Sequence, residues 1–317
     1  MSSTLMIIQQ VVIMFLLAAI GCIMFKTGKI TKEGSKSLAN ILLYLCLPCV
    51  IINGFLVDYS QERVIGLIIS TGVALLVLIL SVLLSRLLCG RNAIDCFAGA
   101  FSNPGFFGVP LIIAALSDGA VFYIAAYIAF LNLFQWTYGV SLLENSDENG
   151  NLLKRNKSEQ SQAGSVLKKL VKAPFTIAII IGLFFFLTRI PMPEIVGKCI
   201  GFIANMNTPL AMFTIGIYLA QTDIVKMIRK VNLYRVSLVR LVVIPIVTLF
   251  LLWLIPSNLM EMKTAILIAS ACPVGSNVAV YAQLHEKDYP YAVETVVIST
   301  IISIITIPAL VSIWMIL

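Results

Sequence analysis

Long apolar runs alternate with short polar stretches along the whole chain. We number these runs as segments 1 to 10, and their approximate limits are 5–25, 38–57, 64–85, 96–116, 121–143, 173–189, 199–220, 236–255, 264–284 and 291–317. Each run is long enough to cross the hydrocarbon core of a bilayer as a helix, which takes about 17–25 residues. The pattern predicts an all-α integral membrane protein with ten transmembrane helices.

The composition agrees with this pattern. The 317 residues are 60% hydrophobic and 12% charged, whereas a soluble domain carries about 25% charged residues. Segment 1 has no basic residue before it and no small-residue cleavage site after it, and Lys26 and Lys29 follow it. We therefore expect segment 1 to remain as a membrane span and not to act as a signal peptide.

The basic residues indicate the orientation. With the N-terminus outside, one of the 22 lysines and arginines lies within segment 8, 17 lie in inner loops, and four lie in outer loops, namely Arg63, Arg189, Lys198 and Lys263. This positive-inside bias predicts a multi-pass protein of the cell (plasma) membrane with both termini outside and the central loop in the cytoplasm. The net charge of +7 then reflects topology. Because the basic residues are scattered, the lipid bilayer and not a nucleic acid is the expected partner.

One long polar stretch divides the chain. Residues 144–172 are poor in apolar side chains and predict a flexible cytoplasmic linker. The linker separates a first five-helix repeat, 1–143, from a second, 173–317. Because five is odd, the second repeat inserts upside down relative to the first, which is a common plan of transporters.

Prolines support the internal repeat. Pro48 of segment 2 corresponds to Pro209 of segment 7, and Pro104 of segment 4 corresponds to Pro273 of segment 9. Segments 4 and 9 are also both interrupted near their centres, by Ser102, Asn103, Pro104 and Gly105 in one and by Pro273, Gly275, Ser276 and Asn277 in the other. Paired interruptions at matching positions are typical of a substrate site. We predict that these eight residues bind the substrate.

The charge at such a break favours an anion. Each helix that restarts after a break directs the positive end of its dipole and free N–H groups at the crossing. We expect Ser102 or Asn103 to cap the restarted half of segment 4, and Ser276 or Asn277 that of segment 9. No Asp, Glu, Lys or Arg lies within six residues of either central proline. A small organic anion is then the natural neutralising group, and the alternative is that two proline kinks merely shape a packed bundle.

The motifs AFSNPGFFGVPL in segment 4 and ASACPVGSNVAVYAQ in segment 9, with ten segments around a central loop, resemble the auxin efflux carrier family. That family includes the plant PIN carriers and bacterial permeases assigned to malonate or malate. The short central loop resembles the bacterial members, although Pro104 stands where these often have threonine or another small residue.

This resemblance implies a fold similar to the sodium/proton antiporter NhaA and the bile-acid symporters, in which broken helices 4 and 9 cross at the membrane midplane. It also implies an organic-anion substrate, such as a carboxylate or an auxin-like acid. It further implies an elevator movement, in which segments 3–5 and 8–10 move as one body against segments 1, 2, 6 and 7.

Other polar residues give weaker signals. Arg240, near the inner end of segment 8, could meet an anion in transit, but we favour a side chain that reaches the headgroups. We expect Asp95 and Glu294 at the inner membrane surface, where a helix N-terminus favours an acid. Segment 5 carries a polar and aromatic face that we attribute chiefly to packing and to the membrane interface, comprising Tyr127, Asn132, Gln135, Trp136 and Tyr138.

The sequence offers no catalytic or metal-binding constellation. Cys46 and Cys49 form a CxxC pair, but within an apolar helix we expect them to be small packing residues around Pro48. The single histidine, His285, has no metal-ligand partner at a usable spacing. We expect no cofactor and no metal.

We therefore predict a secondary transporter that exports or exchanges a small organic anion, and not an enzyme. A nucleophile–base pair, an embedded acid pair and a GxxxxGK[ST] nucleotide loop are all missing from the sequence. The alternative is an anion channel or a membrane sensor of the same fold. Whether two copies form a homodimer is left open.

Overall fold

The computed structural model describes residues 3–147, 152, 173–256 and 259–316. Within these ranges the protein is helical throughout, apart from connecting turns and two isolated backbone bridges. Helices cover all ten predicted segments, and their bounds in chain order are Ser3–Lys26, Lys32–Phe55, Gln61–Leu88, Ala93–Ala100 with Pro104–Ala115, Asp118–Glu144, Pro174–Thr188, Glu194–Gln221, Val231–Trp253, Met260–Ala271 with Asn277–Leu284, and Tyr289–Ile316.

In the part of the chain that the structure describes, seven helices are long and apolar enough to cross a membrane. They cover segments 1, 2, 3, 5, 7, 8 and 10, whereas segments 4 and 9 are each divided and segment 6 is a helix of 15 residues. Large apolar side chains point outward, and Leu16, Ile68 and Ile305 are 62%, 67% and 74% exposed. Such a surface suits lipid and not water, so this is a multi-pass membrane protein. Ten crossings in two inverted repeats remain a prediction.

The predicted linker, 144–172, lies mostly outside the described residues. At its start, Ser146 bridges to Leu152, and Leu152 N–H donates to Arg91 O at 2.9 Å. Lys287 Nζ also donates to Ser146 O at 2.7 Å. The linker therefore begins at the face of the protein that carries the turns after segments 3 and 9. We call this the linker face.

One short helix, Ile224–Ile228, was not predicted from the sequence. Its N-cap is Asp223, whose side chain accepts a hydrogen bond from Lys226 N–H at 3.2 Å. This backbone hydrogen bond lowers the pKa of the Asp223 carboxyl. Five residues are too few for a periodic pattern to reveal a helix.

Segments 1, 2, 6 and 7 pack on one another and form what we call the 1-2-6-7 group. Segments 1 and 7 touch backbone to backbone, since a Cβ added to Gly216 would lie 1.9 Å from Ala18 O. Segments 2 and 6 are similarly close, since a Cβ on Gly182 would lie 2.6 Å from the Phe55 ring. Pairing of segment 1 with 7 and of segment 6 with 2 is the exchange expected of two repeats related by a two-fold axis.

Segments 3, 4, 5, 8, 9 and 10 form a second set, which we call the crossing group. Segment 3 packs on segments 4, 5 and 9, and segment 8 packs on segments 4, 9 and 10. A Cβ on Gly99 of segment 4 would lie 2.6 Å from Ser85 Oγ of segment 3. The two groups meet where segment 1 contacts segments 4 and 10, and where segment 2 contacts the start of segment 5.

The backbone contact between segments 1 and 7 generates a prediction. Gly216→Ala must push these helices apart, and overpacking of this kind costs about 1–3 kcal/mol. We expect a lower melting temperature for the detergent-purified protein. Gly201→Ala is the matched control, because a Cβ at this position of segment 7 meets nothing within 4 Å and alanine favours a helix. Equal melting temperatures for the two variants would show that the helices are not in backbone contact.

Candidate functional site

The interruptions of segments 4 and 9 cross, and their backbones pair. The first half of segment 4 ends at Ala100, and Phe101 is extended. Asn103 N–H donates to Pro273 O at 2.9 Å, and Gly275 N–H donates to Phe101 O at 2.9 Å. Each break therefore satisfies polar backbone groups of the other. This pairing explains how two helices can be broken at a depth where lipid offers no hydrogen-bond partner.

Glycine is required at this contact. A Cβ on Gly275 would lie only 2.8 Å from Ser102 O, which is closer than a side-chain carbon can approach without displacing the backbone. A third element supports the break of segment 9, because Val274 N–H donates to Ser299 Oγ of segment 10 at 3.1 Å. The crossing is thus tied to segment 10 as well.

The restart of segment 4 follows the sequence prediction. Asn103 is the N-cap, and its Oδ1 accepts a hydrogen bond from Phe106 N–H at 3.4 Å. Pro104 occupies the first turn, where the missing N–H costs nothing. Ser102 does not cap the helix, since its Oγ lies 3.3 Å from the Tyr127 hydroxyl.

The restart of segment 9 differs from the prediction that Ser276 or Asn277 caps it. Ser276 has helical backbone angles and makes no capping bond. Asn277 Nδ2 instead donates to Gln135 Oε1 of segment 5 at 2.8 Å. The first turn closes through its own backbone, with Ala279 N–H donating to Ser276 O at 3.1 Å. The capping prediction is wrong here because the amide finds a partner on a neighbouring helix.

A cavity of about 30 Å³ lies against the crossing. Its lining includes seven of the eight predicted site residues, namely Ser102, Asn103, Pro104, Gly105, Gly275, Ser276 and Asn277. Pro273 is not part of the lining but holds Asn103 through its carbonyl. Segment 2 contributes Leu43 and Leu47, and segment 5 contributes Ile128, Leu131 and Asn132.

Two amide donors at the crossing are buried without a hydrogen-bond partner. They are Nδ2 of Asn103 and Nε2 of Gln135. A buried donor of this kind costs about 1–3 kcal/mol unless something accepts its hydrogen. Because Gln135 also accepts a hydrogen bond from Asn277, the polar face of segment 5 belongs to the site. From the sequence, we attributed this face chiefly to packing and did not predict its place in the site. The spacing of Asn132 and Gln135 on a helix was the available signal.

The structure corrects the favoured interpretation of Arg240. This side chain is completely buried and does not reach the headgroups. It donates through Nη1 to Ala100 O at 2.9 Å and to Gly99 O at 3.4 Å, and through Nη2 to Ser270 O. The arginine therefore lies at the crossing, on the side where the first halves of segments 4 and 9 end.

Asp95 and Glu294 were expected at a water-exposed surface, but both side chains are buried. Asp95 is completely buried and accepts hydrogen bonds from the Tyr291 hydroxyl at 2.6 Å and from Arg235 Nη2 at 3.2 Å. Glu294 is 8% exposed and pairs with Lys230 Nζ at 2.5 Å. Segments 8 and 10 cover both acids, so they tie segments 4, 8 and 10 together near the linker face.

The other titratable side chains form no metal site in the described ranges. These ranges contain no group of three or more His, Cys, Asp or Glu residues that could hold a metal ion. His285 is partly exposed and lies 3.9 Å from Glu144, so it is less solvated than expected. Cys46 is buried, Cys49 is partly buried, and both are free thiols.

A helical membrane protein with two broken helices that cross beside a small cavity, lined by leucines and by amide side chains, belongs structurally among the membrane transport proteins. Comparison with known proteins gives the family. The membrane transport protein family (Mem_trans) matches residues 6–311, and the chain belongs to this family, as its resemblance to the auxin efflux carriers indicated. A relative from Rhizobium meliloti (strain 1021), named "Putative malonate transporter", is 23% identical over 236 residues, which cover 74% of this chain and 71% of that protein.

The close approach at Gly275 generates a second prediction. Gly275→Ala should separate the two breaks and weaken the bonds between Asn103 and Pro273 and between Gly275 and Phe101. We expect faster amide hydrogen exchange in peptides that cover residues 101–108 and 273–279, measured by mass spectrometry. Gly72→Ala is the control, because a Cβ at Gly72 meets nothing within 4 Å. Unchanged exchange in both peptides would contradict the paired crossing.

Proposed function

We propose that the protein is a secondary transporter that exports or exchanges a small organic anion, and that the substrate carboxylate binds at the crossing of segments 4 and 9. The observation that carries this proposal is the pair of unsatisfied buried donors, Asn103 Nδ2 and Gln135 Nε2, next to two helix restarts. A carboxylate offers two oxygens with about four acceptor sites. Hydrogen bonds to such a charged group contribute about 1.5–3 kcal/mol each.

Electrostatics favour an anion over a neutral solute. Each restarted half-helix presents a positive end of about half a charge, and Arg240 offsets the negative ends of the two ended halves nearby. The described side chains that hydrogen-bond to the two breaks or to Arg240 include no carboxylate. An anionic substrate supplies the missing negative charge. The printed name of the Rhizobium relative makes malonate the first dicarboxylate to test.

The size of the cavity supports alternating access. A volume of about 30 Å³ holds on the order of two water molecules, which is less than a dicarboxylate needs. Leu43 and Leu47 of segment 2 close the cavity against segments 4, 5 and 9. Separation of the 1-2-6-7 group from the crossing group would therefore open it. We propose an elevator-type movement in which the crossing group carries the substrate.

The basic residues orient this carrier. We propose that the linker face lies in the cytoplasm, that both termini are outside, and that the two five-helix units are inverted repeats in the cell membrane. The linker face carries Arg91, Arg235 and Lys287, in agreement with the positive-inside bias.

The binding proposal is tested by removing one amide at a time. Asn103→Ala or Gln135→Ala removes one of the two unpaired donors. Each variant should fold but reduce malonate counterflow in proteoliposomes at least about tenfold, since a lost charged hydrogen bond costs about 1.5–3 kcal/mol. Asn232→Ala is the control, because Asn232 is exposed at the start of segment 8. The same assay with other dicarboxylates, monocarboxylates and indole acids defines the substrate class.

Counterflow also separates the alternatives. Saturable exchange that accelerates with substrate on the opposite side requires a carrier, whereas flux without saturation or counterflow indicates an anion channel. Normal transport by both amide variants would move the site away from the crossing.

The movement is tested by cross-links between and within the groups. In a protein with the seven cysteines replaced, Gly54→Cys with Val121→Cys joins segment 2 to segment 5. A Cβ on Gly54 would lie 3.1 Å from Val121 Cβ, close to the usual disulfide separation. We expect oxidation to stop exchange and reduction to restore it.

A pair inside the crossing group serves as the control. Ser85→Cys with Gly99→Cys joins segments 3 and 4, and a Cβ on Gly99 would lie 3.3 Å from Ser85 Cβ. Exchange should continue when this pair is oxidised, because both helices move together. Continued exchange with the Gly54–Val121 pair fully cross-linked would argue against relative movement of the two groups.

A further inference from the structure

A single arginine holds the ends of both broken helices. The first half of segment 4 ends at Ala100 and the first half of segment 9 ends at Ala271. The last carbonyls of a helix have no partner within it. Arg240 donates to three of these carbonyls, on Gly99, Ala100 and Ser270. One guanidinium thus bridges two helix C-termini from different halves of the chain.

These carbonyls form a ligand set for a cation. Each helix C-terminus carries a negative partial charge of about half a unit, so two of them together match one positive charge. In transporters, carbonyl oxygens at the ends of broken helices coordinate the coupling ion, which is sodium or a proton. In this chain the guanidinium of Arg240 occupies that position.

The charge at this position is permanent. Arg240 is completely buried, and an arginine does not lose its proton in a protein. The titratable side chains that face it are Tyr127, Cys272 and Cys89, which are neutral groups near pH 7. The pairing of Arg240 with the carbonyls therefore persists across the physiological pH range.

We propose that Arg240 is a resident cation of the crossing and replaces a coupling ion. By neutralising the two C-termini, it leaves the two helix N-termini, with about one positive charge between them, for one carboxylate of the substrate. Transport then requires neither sodium nor a titrating acid. The independence of transport from sodium and protons rests on the proposed function, whereas the binding of Arg240 to the two helix ends does not.

The cation site is tested without any substrate. Arg240→Ala should lower the melting temperature of the purified protein, because three carbonyls lose their donor. Millimolar guanidinium chloride should then raise that melting temperature relative to choline chloride. Wild type and Arg189→Ala should show no such rise, since Arg189 is exposed and rests on the Tyr59 ring. No stabilisation by guanidinium, or equal stabilisation of all three proteins, would overturn the proposal.

Arg240→Lys extends the test to a variant that keeps the charge. It should fold, and in proteoliposomes it should retain malonate exchange in choline buffer at a reduced rate. Complete loss of exchange in a folded Arg240→Lys protein, or exchange that returns only with sodium, would count against a role of the charge. This variant decides the matter if Arg240→Ala does not fold.

Transport gives the second readout. Wild-type exchange should be the same in sodium and choline buffers and should vary little between pH 6 and 8, after correction for substrate ionisation. Arg240→Ala should lose at least about tenfold in exchange rate and regain part of it with guanidinium. Strict sodium dependence of the wild type, or normal exchange by Arg240→Ala without an added cation, would refute the inference. If the wild type exchanges no organic anion at all, the proposed function fails, and the melting experiment still judges the cation site.

Discussion

The whole arrangement depends on one constraint: an unpaired backbone group is very unfavourable in the middle of a bilayer. Segments 4 and 9 meet this constraint by breaking at the same place and pairing with each other, through the N–H groups of Asn103 and Gly275. The pairing demands close approach, which only a residue without a Cβ permits at Gly275. A break that looks unfavourable for either helix alone is therefore stable for the two together.

The crossing of two broken helices also separates the negative helix ends from the positive helix ends. The ended halves collect carbonyls on one side, where Arg240 binds them, and the restarted halves collect positive ends on the other side. A fixed cation on the carbonyl side cannot leave with the substrate. Under the proposed function, the exchangeable charge is negative and binds on the restarted side, where Asn103 has its unpaired donor.

The sequence predicted the helices well because each lipid-facing helix needs about 20 apolar residues and leaves an unmistakable run. It also located both breaks, since proline and glycine act locally. It did not reveal contacts between distant residues. Arg240 lies about 140 residues from Ala100 along the chain, and nothing near it in sequence indicates that two helix ends cover it. Asp95 was expected at a surface for the same reason, because Tyr291 and Arg235 come from segments far along the chain.

The two amides at the crossing reach a similar outcome by different routes. Asn103 uses its oxygen to cap its own helix, which leaves its Nδ2 hydrogens without an acceptor. Asn277 instead gives its Nδ2 hydrogen to Gln135 Oε1, which leaves the Nε2 hydrogens of Gln135 without one. The oxygens of Asn103 and Gln135 therefore both accept hydrogen bonds within the protein, and the nitrogens of both side chains have no partner. These two unpaired donors come from two different helices, and each is a group from which a carboxylate oxygen can accept a hydrogen bond. The anion proposed as the substrate would therefore bind to donors that the fold has left unpaired.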